Sequence, residues 1–217
     1  MFKSIVLGNG EIGTALHKII GGEVIGKIDG NFSNPFYYDI IHICFGYSEQ
    51  FETEVKRYQE LFNAKYTVIH STVPVGTSRK LNAIHSPVIG QHPNLEEGIR
   101  TFTKMLGGDK ASEVADYFRM AGMKVMLFDK SETTESAKLF LTEYYRECIL
   151  FAQRVKAYCD KNNLSFHEVY TLANENYNSG YSKLGHQEYV RPVLQPMMQK
   201  IGGHCIIPNS ELIKLSE

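Results

Sequence analysis

Residues 5–13 read Ile5-Val6-Leu7-Gly8-Asn9-Gly10-Glu11-Ile12-Gly13, a short apolar run followed by three glycines in the spacing Gly-x-Gly-x-x-Gly. The apolar run predicts a buried strand, and the residues from Ile12 to Ile20 predict a helix. A strand, a glycine turn and a helix in this order are typical of a dinucleotide-binding unit. The first glycine permits the tight turn, the second lets a pyrophosphate approach the backbone, and the third lets helix and strand pack closely.

Strand and helix patterns alternate from this stretch to about residue 130, which predicts a parallel sheet covered by helices on both faces. The predicted strands after the first are residues 23–25, 39–45, 66–70, 87–90 and 124–128, and the predicted helices after the first are residues 52–62 and 111–120. The expected fold class is α/β, a Rossmann-like doubly wound sheet. We expect residues 1–130 to form an NAD-binding domain and residues 131–217 to hold a long helix and a small helical and irregular C-terminal part.

The long helix is predicted from about residue 133 to 162, where apolar side chains recur at steps of four and three residues. It would be about 45 Å long at about 1.5 Å per residue, too long for one small domain to cover. A solvent-exposed spacer helix is one interpretation, and a homodimer interface is the favoured one. A short helix is expected at residues 165–174, and residues 174–203 are expected to be irregular. The stripe consists of Ala137, Leu141, Tyr144, Cys148, Phe151, Val155 and Tyr158.

Candidate cofactor residues lie in and around the glycine turn. Asp29, at the end of the second strand, would accept hydrogen bonds from the adenosine ribose and favour NAD over NADP, although it could equally be a turn residue before Gly30. The other candidates follow strands, at the edge where doubly wound sheets bind ligands. The full candidate set is Gly8, Asn9, Gly10, Glu11, Ile12, Gly13, Asp29, Phe45, Gly46, Ser71 and Thr72.

Cys205 is the candidate nucleophile, because two glycines closely precede it in Gly202-Gly203-His204-Cys205. Backbone amides near the sulfur would stabilise a thiolate and an oxyanion on a bound carbonyl. A lone cysteine can also be a small core residue. The four cysteines show no metal-ligand pairing and are expected to be reduced thiols; no metal site is predicted.

Composition excludes several classes of function. The 217 residues carry 23 Lys and Arg against 24 Asp and Glu, a formal charge of −1, so no nucleic-acid partner is expected. The hydrophobic share of 43% and the charged share of 22% are ordinary for a globular protein. The sequence starts directly with a strand pattern and has no apolar run of membrane-spanning length, so we expect a cytoplasmic protein without a membrane partner.

The motifs together resemble those of the UDP-glucose/GDP-mannose dehydrogenase family, in content and in order, over nearly the whole chain. The glycine turn resembles that family's NAD site, and residues 71–77 resemble its STVPVGT segment almost letter for letter. Residues 93–98 are similar to its PEFLREG segment, one residue shorter. Ser136-Ala137-Lys138 resembles the start of its dimer helix, AExxK, and residues 202–206 resemble its GGHCIP cysteine motif.

The resemblance implies a four-electron oxidation of a nucleotide-sugar primary alcohol to a carboxylate with two NAD. Cys205 would form a thiohemiacetal and then a thioester, which water cleaves. Lys138 would stabilise the oxyanion, Thr72 would position the water, and Glu97, with Glu96 as the weaker candidate, would be the general base. There are two alternatives: a single-step hydroxyacid-type dehydrogenase with Lys138 as acid/base and Cys205 as a bystander, and a non-catalytic NAD-binding module.

Three features depart from the family pattern. Thr142 stands where the family has Asn, Asn209 stands where it has Asp, and only 12 residues follow Cys205. The family's C-terminal nucleotide-sugar-binding domain is therefore not in this chain. The chain is interpreted as a natural short form, as half of an enzyme completed by a complementing subunit, or as a truncated form.

Overall fold

Seven strands and the helices that connect them make up the first part of the chain. The computed structural model describes residues 2–26, 37–196 and 206–214. The strands are β1 (Ser4–Leu7), β2 (Glu23–Ile25), β3 (Ile40–Ile43), β4 (Tyr66–Ile69), β5 (Ile84–His85), β6 (Lys104–Gly107) and β7 (Val125–Phe128). The helices are α1 (Glu11–Ile20), α2 (Phe51–Leu61), α3 (Thr77–Lys80), α4 (Leu95–Thr101), α5 (Ala111–Met120), α6 (Ser131–Lys161), α7 (Ala173–Lys183) and α8 (Ile206–Lys214).

All seven strands form one sheet in the order β2-β1-β3-β4-β5-β6-β7. Strands β1 to β5 are parallel, β6 pairs antiparallel with β5, and β7 is parallel to β6. The chain leaves β1 toward β2 and then crosses back to β3 on the other side of β1. This reversal is the topological switch point of an open α/β sheet, the place where such sheets bind ligands. The predicted Rossmann-like α/β fold is confirmed.

Apolar clusters cover both faces of this sheet, as strands buried on both sides require. On one face Ile5, Leu7 and Ile43 pack with side chains of α2. On the other face Val6 and Val68 pack with side chains of α1, α4 and α5. The near-continuous apolar strands of the sequence arise from this double burial.

The predicted strand at residues 87–90 is wrong. The strand in this position is β5, Ile84–His85, and its ladder closes with the amide of Ser86 donating to the carbonyl of Ile69 at 2.8 Å. The next residue is Pro87, which has no N–H to donate, so the chain leaves the sheet there.

Helix α6 begins and ends within two residues of its predicted bounds. The predicted apolar stripe does not face the core, because Leu141, Tyr144, Phe151 and Tyr158 are 52–64% exposed. The buried side of α6 carries other residues, namely Leu139, Ile149, Ala152 and Cys159.

The contacts divide the chain into two compact units, Met1–Leu139 with Leu212–Glu217 and Phe140–Glu211. In the second unit a π-helical stretch, His167–Leu172, leads directly into α7. The expectation of irregular structure from residue 174 onward is therefore wrong as far as Lys183. Asn178 does not stop this helix, because its side-chain amide pairs with both backbone groups of Arg191, at 2.8 and 2.9 Å, and not with the helix backbone.

Candidate functional site

The glycine turn joins β1 to α1 in a geometry that requires small residues. Gly8 has φ +113°, and a Cβ on Gly13 would lie 1.8 Å from the carbonyl oxygen of Gly8. A Cβ on Gly10 would meet nothing within 4 Å. Gly8 and Gly13 are therefore needed by the fold itself, whereas Gly10 borders open space at the amino terminus of α1.

A groove of about 300 Å³ opens at the carboxyl ends of β1, β2 and β3. It lies at the switch point of the sheet, and each of the three strands contributes its following loop to the lining. The first part of the lining is Gly8, Gly26, Phe45 and Gly46, and the rest is Ser48, Gln50, Glu54 and Tyr58. The structure thus brings the predicted residues Gly8, Phe45 and Gly46 together.

A second groove, of about 720 Å³, lies between α1 and α4 beside the glycine turn. Its lining includes Asn9, Gly10 and Glu11 together with the two candidate general bases. Glu97 is exposed in this groove, whereas Glu96 is engaged by Lys18 at 3.6 Å and by Arg100 at 3.2 Å. The glycine turn and the candidate bases therefore share a groove, and Glu97 is the base that carries no ion pair with these two cations.

Glu11 adds a negative charge to the mouth of the same groove. It is the first residue of α1, and its carboxylate contacts the Nδ1 atom of His92. An acidic residue in the first turn stabilises a helix, and the same charge opposes an anion at that helix terminus.

The segment 71–78 follows β4 at the same edge of the sheet. The hydroxyl of Ser71 is buried and donates to the carbonyl of Phe45 at 2.5 Å, which ties this segment to the loop after β3. The Nε2 atom of His85 lies 3.2 Å from the Ser71 carbonyl, which only accepts, so this nitrogen carries the proton. Thr72, which directly follows Ser71, is half-buried.

Two side chains near the start of α6 hold the segments that follow β4 and β5. The oxygens of Glu135 accept the amides of Gly76 and Ser78, at 2.6 and 2.8 Å. The Nζ atom of Lys138 donates to the carbonyl of Val88 at 2.8 Å. Lys138 is therefore placed beside the loop after β5, and within the described residues it lies outside the linings of both grooves.

Sequence reasoning missed Glu135. Its side chain is only 1% exposed, and burial raises its pKa, while hydrogen bonds from Ser78 and Gly76 act in the opposite direction. The available signal was a carboxylate three residues before Lys138, which places both side chains on one side of a helix.

A chain of buried polar side chains crosses the sheet, and the sequence analysis did not identify it either. His42 on β3 and His70 after β4 approach at 3.0 Å, and Tyr117 of α5 lies 3.3 Å from His42. Tyr117 in turn contacts Ser4 of β1 at 2.9 Å. Burial lowers the pKa of His42 to about 3 and that of His70 well below its ordinary value, so both rings are neutral.

Lys104 of β6 ends this chain. Its Nζ atom lies 3.2 Å from His70 Nδ1, 3.1 Å from the Ser86 carbonyl and 3.3 Å from the Pro87 carbonyl. The side chain is 4% exposed, and burial lowers the pKa of Lys104 to about 7. His70 Nδ1 also donates to the Ser86 carbonyl at 2.8 Å, so His70 and Lys104 share this acceptor.

The second unit brings together two residues that depart from the family pattern. The side-chain amide of Asn209, on α8, donates to the hydroxyl of Thr142, on α6, at 3.1 Å. One turn along α6 from Lys138, this position therefore holds a neutral hydroxyl–amide pair.

Two predicted residues, Asp29 and Cys205, lie outside the described residues. The three described cysteines, Cys44, Cys148 and Cys159, are free thiols. Within the described ranges there is no group of three or more side chains suited to hold a metal ion. No described helix combines the length and the apolar character needed to cross a bilayer.

Comparison with solved structures shows the same fold in nucleotide-sugar dehydrogenases. The UDP-D-ManNAc dehydrogenase from Pyrococcus horikoshii superposes with a TM-score of 0.78 at 17% identity, over 97% of this chain and 63% of that one. The NDP-N-acetyl-D-galactosaminuronic acid dehydrogenase from Methanosarcina mazei Go1 gives 0.73 at 15% identity, over 99% of this chain and 60% of that one. The resemblance indicated by the motifs thus extends to the fold.

A structural match with a lower TM-score is a reductive aminase from Aspergillus terreus in complex with NADPH and ethyl levulinate. It superposes with a TM-score of 0.55 at 12% identity, over 85% of this chain and 75% of that one. No protein-family model matches the sequence, and no curated protein matches it by sequence. The chain spans 60–63% of the length of the two dehydrogenases.

Proposed function

We propose that this chain belongs to the nucleotide-sugar dehydrogenases and uses NAD to oxidise the primary alcohol of a nucleotide sugar, or of a smaller related substrate, to a carboxylate. The observation that carries the proposal is the glycine turn, which contributes Gly8 to the groove at the switch point and Gly10, at the start of α1, to the groove beside it, in a fold shared with such dehydrogenases. Ligands of open α/β sheets bind at this edge.

The turn is suited to a dinucleotide. The amides at the start of α1 would face the pyrophosphate, and the open space beside Gly10 leaves room for it. Gly8, Asn9, Gly10, Glu11, Ile12 and Gly13 form this turn, and Phe45, Gly46, Ser71 and Thr72 lie on the neighbouring loops. We assign Asp29 to the adenosine ribose, which selects NAD rather than NADP.

In the proposed reaction the alcohol first loses a hydride to one NAD and a proton, giving an aldehyde. The thiolate of Cys205 adds to the aldehyde carbon, and protonation of the oxygen gives a thiohemiacetal. Loss of a proton and of a second hydride to a second NAD gives a thioester. Water then cleaves the thioester, which releases the carboxylate and restores the thiol.

The described residues suit the supporting roles. Lys138 is a cation at the edge of the sheet that binds ligands, and it would stabilise the oxyanion on the way to the thiohemiacetal. Thr72 is half-buried on a segment with both flanks anchored, and its hydroxyl would orient the hydrolytic water. Glu97 is exposed in the groove of the glycine turn and would accept the alcohol proton.

We further propose a homodimer through α6. Leu141, Tyr144, Phe151 and Tyr158 form an apolar stripe that is 52–64% exposed in the isolated chain. Stripes of this size on soluble proteins commonly mark subunit interfaces. The domain that holds the nucleotide in longer relatives would come from a second polypeptide or from chain beyond these residues.

Stoichiometry tests the proposed chemistry. The chain would be incubated with NAD and a panel of nucleotide sugars, the binders being chosen by the rise in melting temperature that they cause. Two NADH per substrate consumed are expected, and Cys205→Ser should abolish formation of the carboxylate. Cys148→Ser, at a partly exposed thiol, is the matched control and should keep the stoichiometry.

Other outcomes contradict the proposal in separate ways. One NADH per substrate would show a single-step dehydrogenase, with Lys138 as acid/base and Cys205 as a bystander. If the chain binds no NAD at millimolar cofactor, both the two-step dehydrogenase and the single-step dehydrogenase are excluded. Equal alkylation of Cys205 and Cys148 near neutral pH would show that Cys205 is not a stabilised thiolate.

A further inference from the structure

The segment 71–78 is fixed at three places, and the third is a buried carboxylate from outside the segment. Ser71 is tied to Phe45 by its hydroxyl, and the hydroxyl of Thr77 donates to the Pro74 carbonyl at 2.7 Å. The amides of Gly76 and Ser78 have no acceptor within the segment and donate to Glu135 instead. Since buried amides require acceptors, Glu135 supplies the acceptors that these two backbone amides need.

Glu135 and Lys138 stand three positions apart on α6 and so lie on the same side of the helix. One holds the segment after β4 and the other holds the Val88 carbonyl after β5. A single turn of α6 therefore ties the segment that carries Thr72 to the loop that carries Val88, through one carboxylate and one ammonium.

A carboxylate is the side chain that suits this position. Both of its oxygens accept, and both partners are N–H donors, so each oxygen forms one charge-assisted bond. A glutamine would present an NH₂ group to one of the two amides and leave a buried donor unpaired. The chemistry at this place is thus specific for Glu rather than for any polar residue of this size.

We infer that Glu135 is a positioning residue that holds Thr72 in place for the hydrolysis of the thioester, acting through the backbone of Gly76 and Ser78. This inference rests on the proposed function for the chemical step, and on the hydrogen bonds alone for the anchoring.

Glu135→Gln tests both parts. Amide hydrogen exchange at Gly76 or Ser78 should become at least tenfold faster, because one of the two amides loses its acceptor. Glu147→Gln is the matched control, since Glu147 lies on the same helix, about three turns further on, and pairs at the surface with Arg146 at 3.0 Å. The control should leave the exchange of both amides unchanged.

The kinetic readout separates positioning from loss of folded protein. With thioester hydrolysis slowed, mixing Glu135→Gln with substrate and excess NAD should give a rapid burst of two NADH per chain, followed by turnover at least tenfold slower than in the wild type. A merely smaller active fraction would lower burst and turnover together. If Glu135→Gln does not fold, Glu135→Asp, which keeps the charge and shortens the reach, should show the same burst in weaker form.

Unchanged exchange at both amides would overturn the anchoring. Faster exchange without a burst would overturn the role in hydrolysis. If the wild-type chain releases no NADH from any substrate, the proposed function fails and the role in hydrolysis fails with it, while the exchange measurement still decides whether Glu135 anchors the segment.

Discussion

Asn209 donates its side-chain amide to the hydroxyl of Thr142 at 3.1 Å, so the two residues that differ from the dehydrogenase pattern are partners of each other. Asn209 is 6% exposed, and its loss would leave the Thr142 hydroxyl without this donor. The two differences therefore form one local unit and are best considered together.

A double-mutant cycle measures this partnership. Thr142→Val and Asn209→Ala should each lower the free energy of unfolding by about 1 kcal/mol, since each removes a hydrogen bond of a partly buried pair. Together they should cost about 1 kcal/mol less than the sum, because the bond is lost only once. Chemical denaturation gives these values, and strict additivity would mean that the bond contributes nothing.

The stability of the chain should depend on pH through Lys104. Its pKa falls from 10.5 to about 7 on folding, so between these pH values the unfolded chain binds more protons than the folded one. The free energy of unfolding should rise with pH across this window, by up to about 5 kcal/mol from this group, and the contribution should be lost as pH falls toward 7.

Lys104→Met isolates this effect. The variant keeps an unbranched side chain without the amine, so the difference between wild type and variant should change with pH from 7 to 10.5 and stay constant below 7. Lys124→Met, at an exposed lysine after α5, should show no such difference. A parallel pH profile for wild type and Lys104→Met would contradict a neutral buried amine.

Substitutions at two glycines of the turn test folding and NAD binding separately. Gly13→Ala should lower the melting temperature strongly, because its Cβ would lie 1.8 Å from a backbone oxygen. Gly10→Ala should leave the melting temperature within about 2 °C, since a Cβ there meets nothing within 4 Å. Gly10→Ala should nevertheless weaken NAD binding about tenfold or more in calorimetry, because the methyl group occupies the space assigned to the pyrophosphate. Undiminished NAD binding by Gly10→Ala would place the pyrophosphate elsewhere.

The exposed stripe of α6 predicts a concentration-dependent dimer. Tyr144→Glu places a charge in a stripe of otherwise apolar side chains and should convert the dimer to a monomer in light scattering. Glu147→Gln, at a half-exposed position of the same helix, should leave the mass unchanged. A monomeric mass for the wild-type chain at high concentration would contradict the interface.

Alternating patterns were sufficient to predict most of the fold as far as residue 130, because a strand buried on both faces and an amphipathic helix differ in their apolar period. Strand β6, with its antiparallel pairing, and the short helices α3 and α4 were not predicted. The bounds of α5 agree with the prediction. The prediction failed at residues 87–90, where an apolar run contains a proline that cannot join the ladder, and at α7, where Asn178 bonds to the distant backbone of Arg191. The first failure comes from a local property that the periodicity does not register, and the second depends on a partner that is remote in sequence.

The site was predicted in part for the same reason. The glycine turn is local and carries its own geometry, so its spacing is readable in the sequence. Glu135, His70 and Lys104 are recognisable only through their burial, which depends on how the strands are ordered. The signal for His70 and Lys104 was a titratable residue at one end of an apolar run, and the signal for Glu135 was its spacing of three residues from Lys138; neither signal reveals the partner.

The antiparallel pairing of β6 with β5 determines where α6 starts along the sheet. Because β6 and β7 run in reverse, α6 starts at the far edge, with Ser131 beside Gly108, and passes His85 at Thr134 before Lys138 reaches Val88. The side chains of the first two turns of α6 therefore contact one segment of the domain after another. One residue inserted between Ser131 and Thr134 would rotate every later side chain of α6 by about 100° around the helix axis. Glu135 and Lys138 would then lose their hydrogen bonds together.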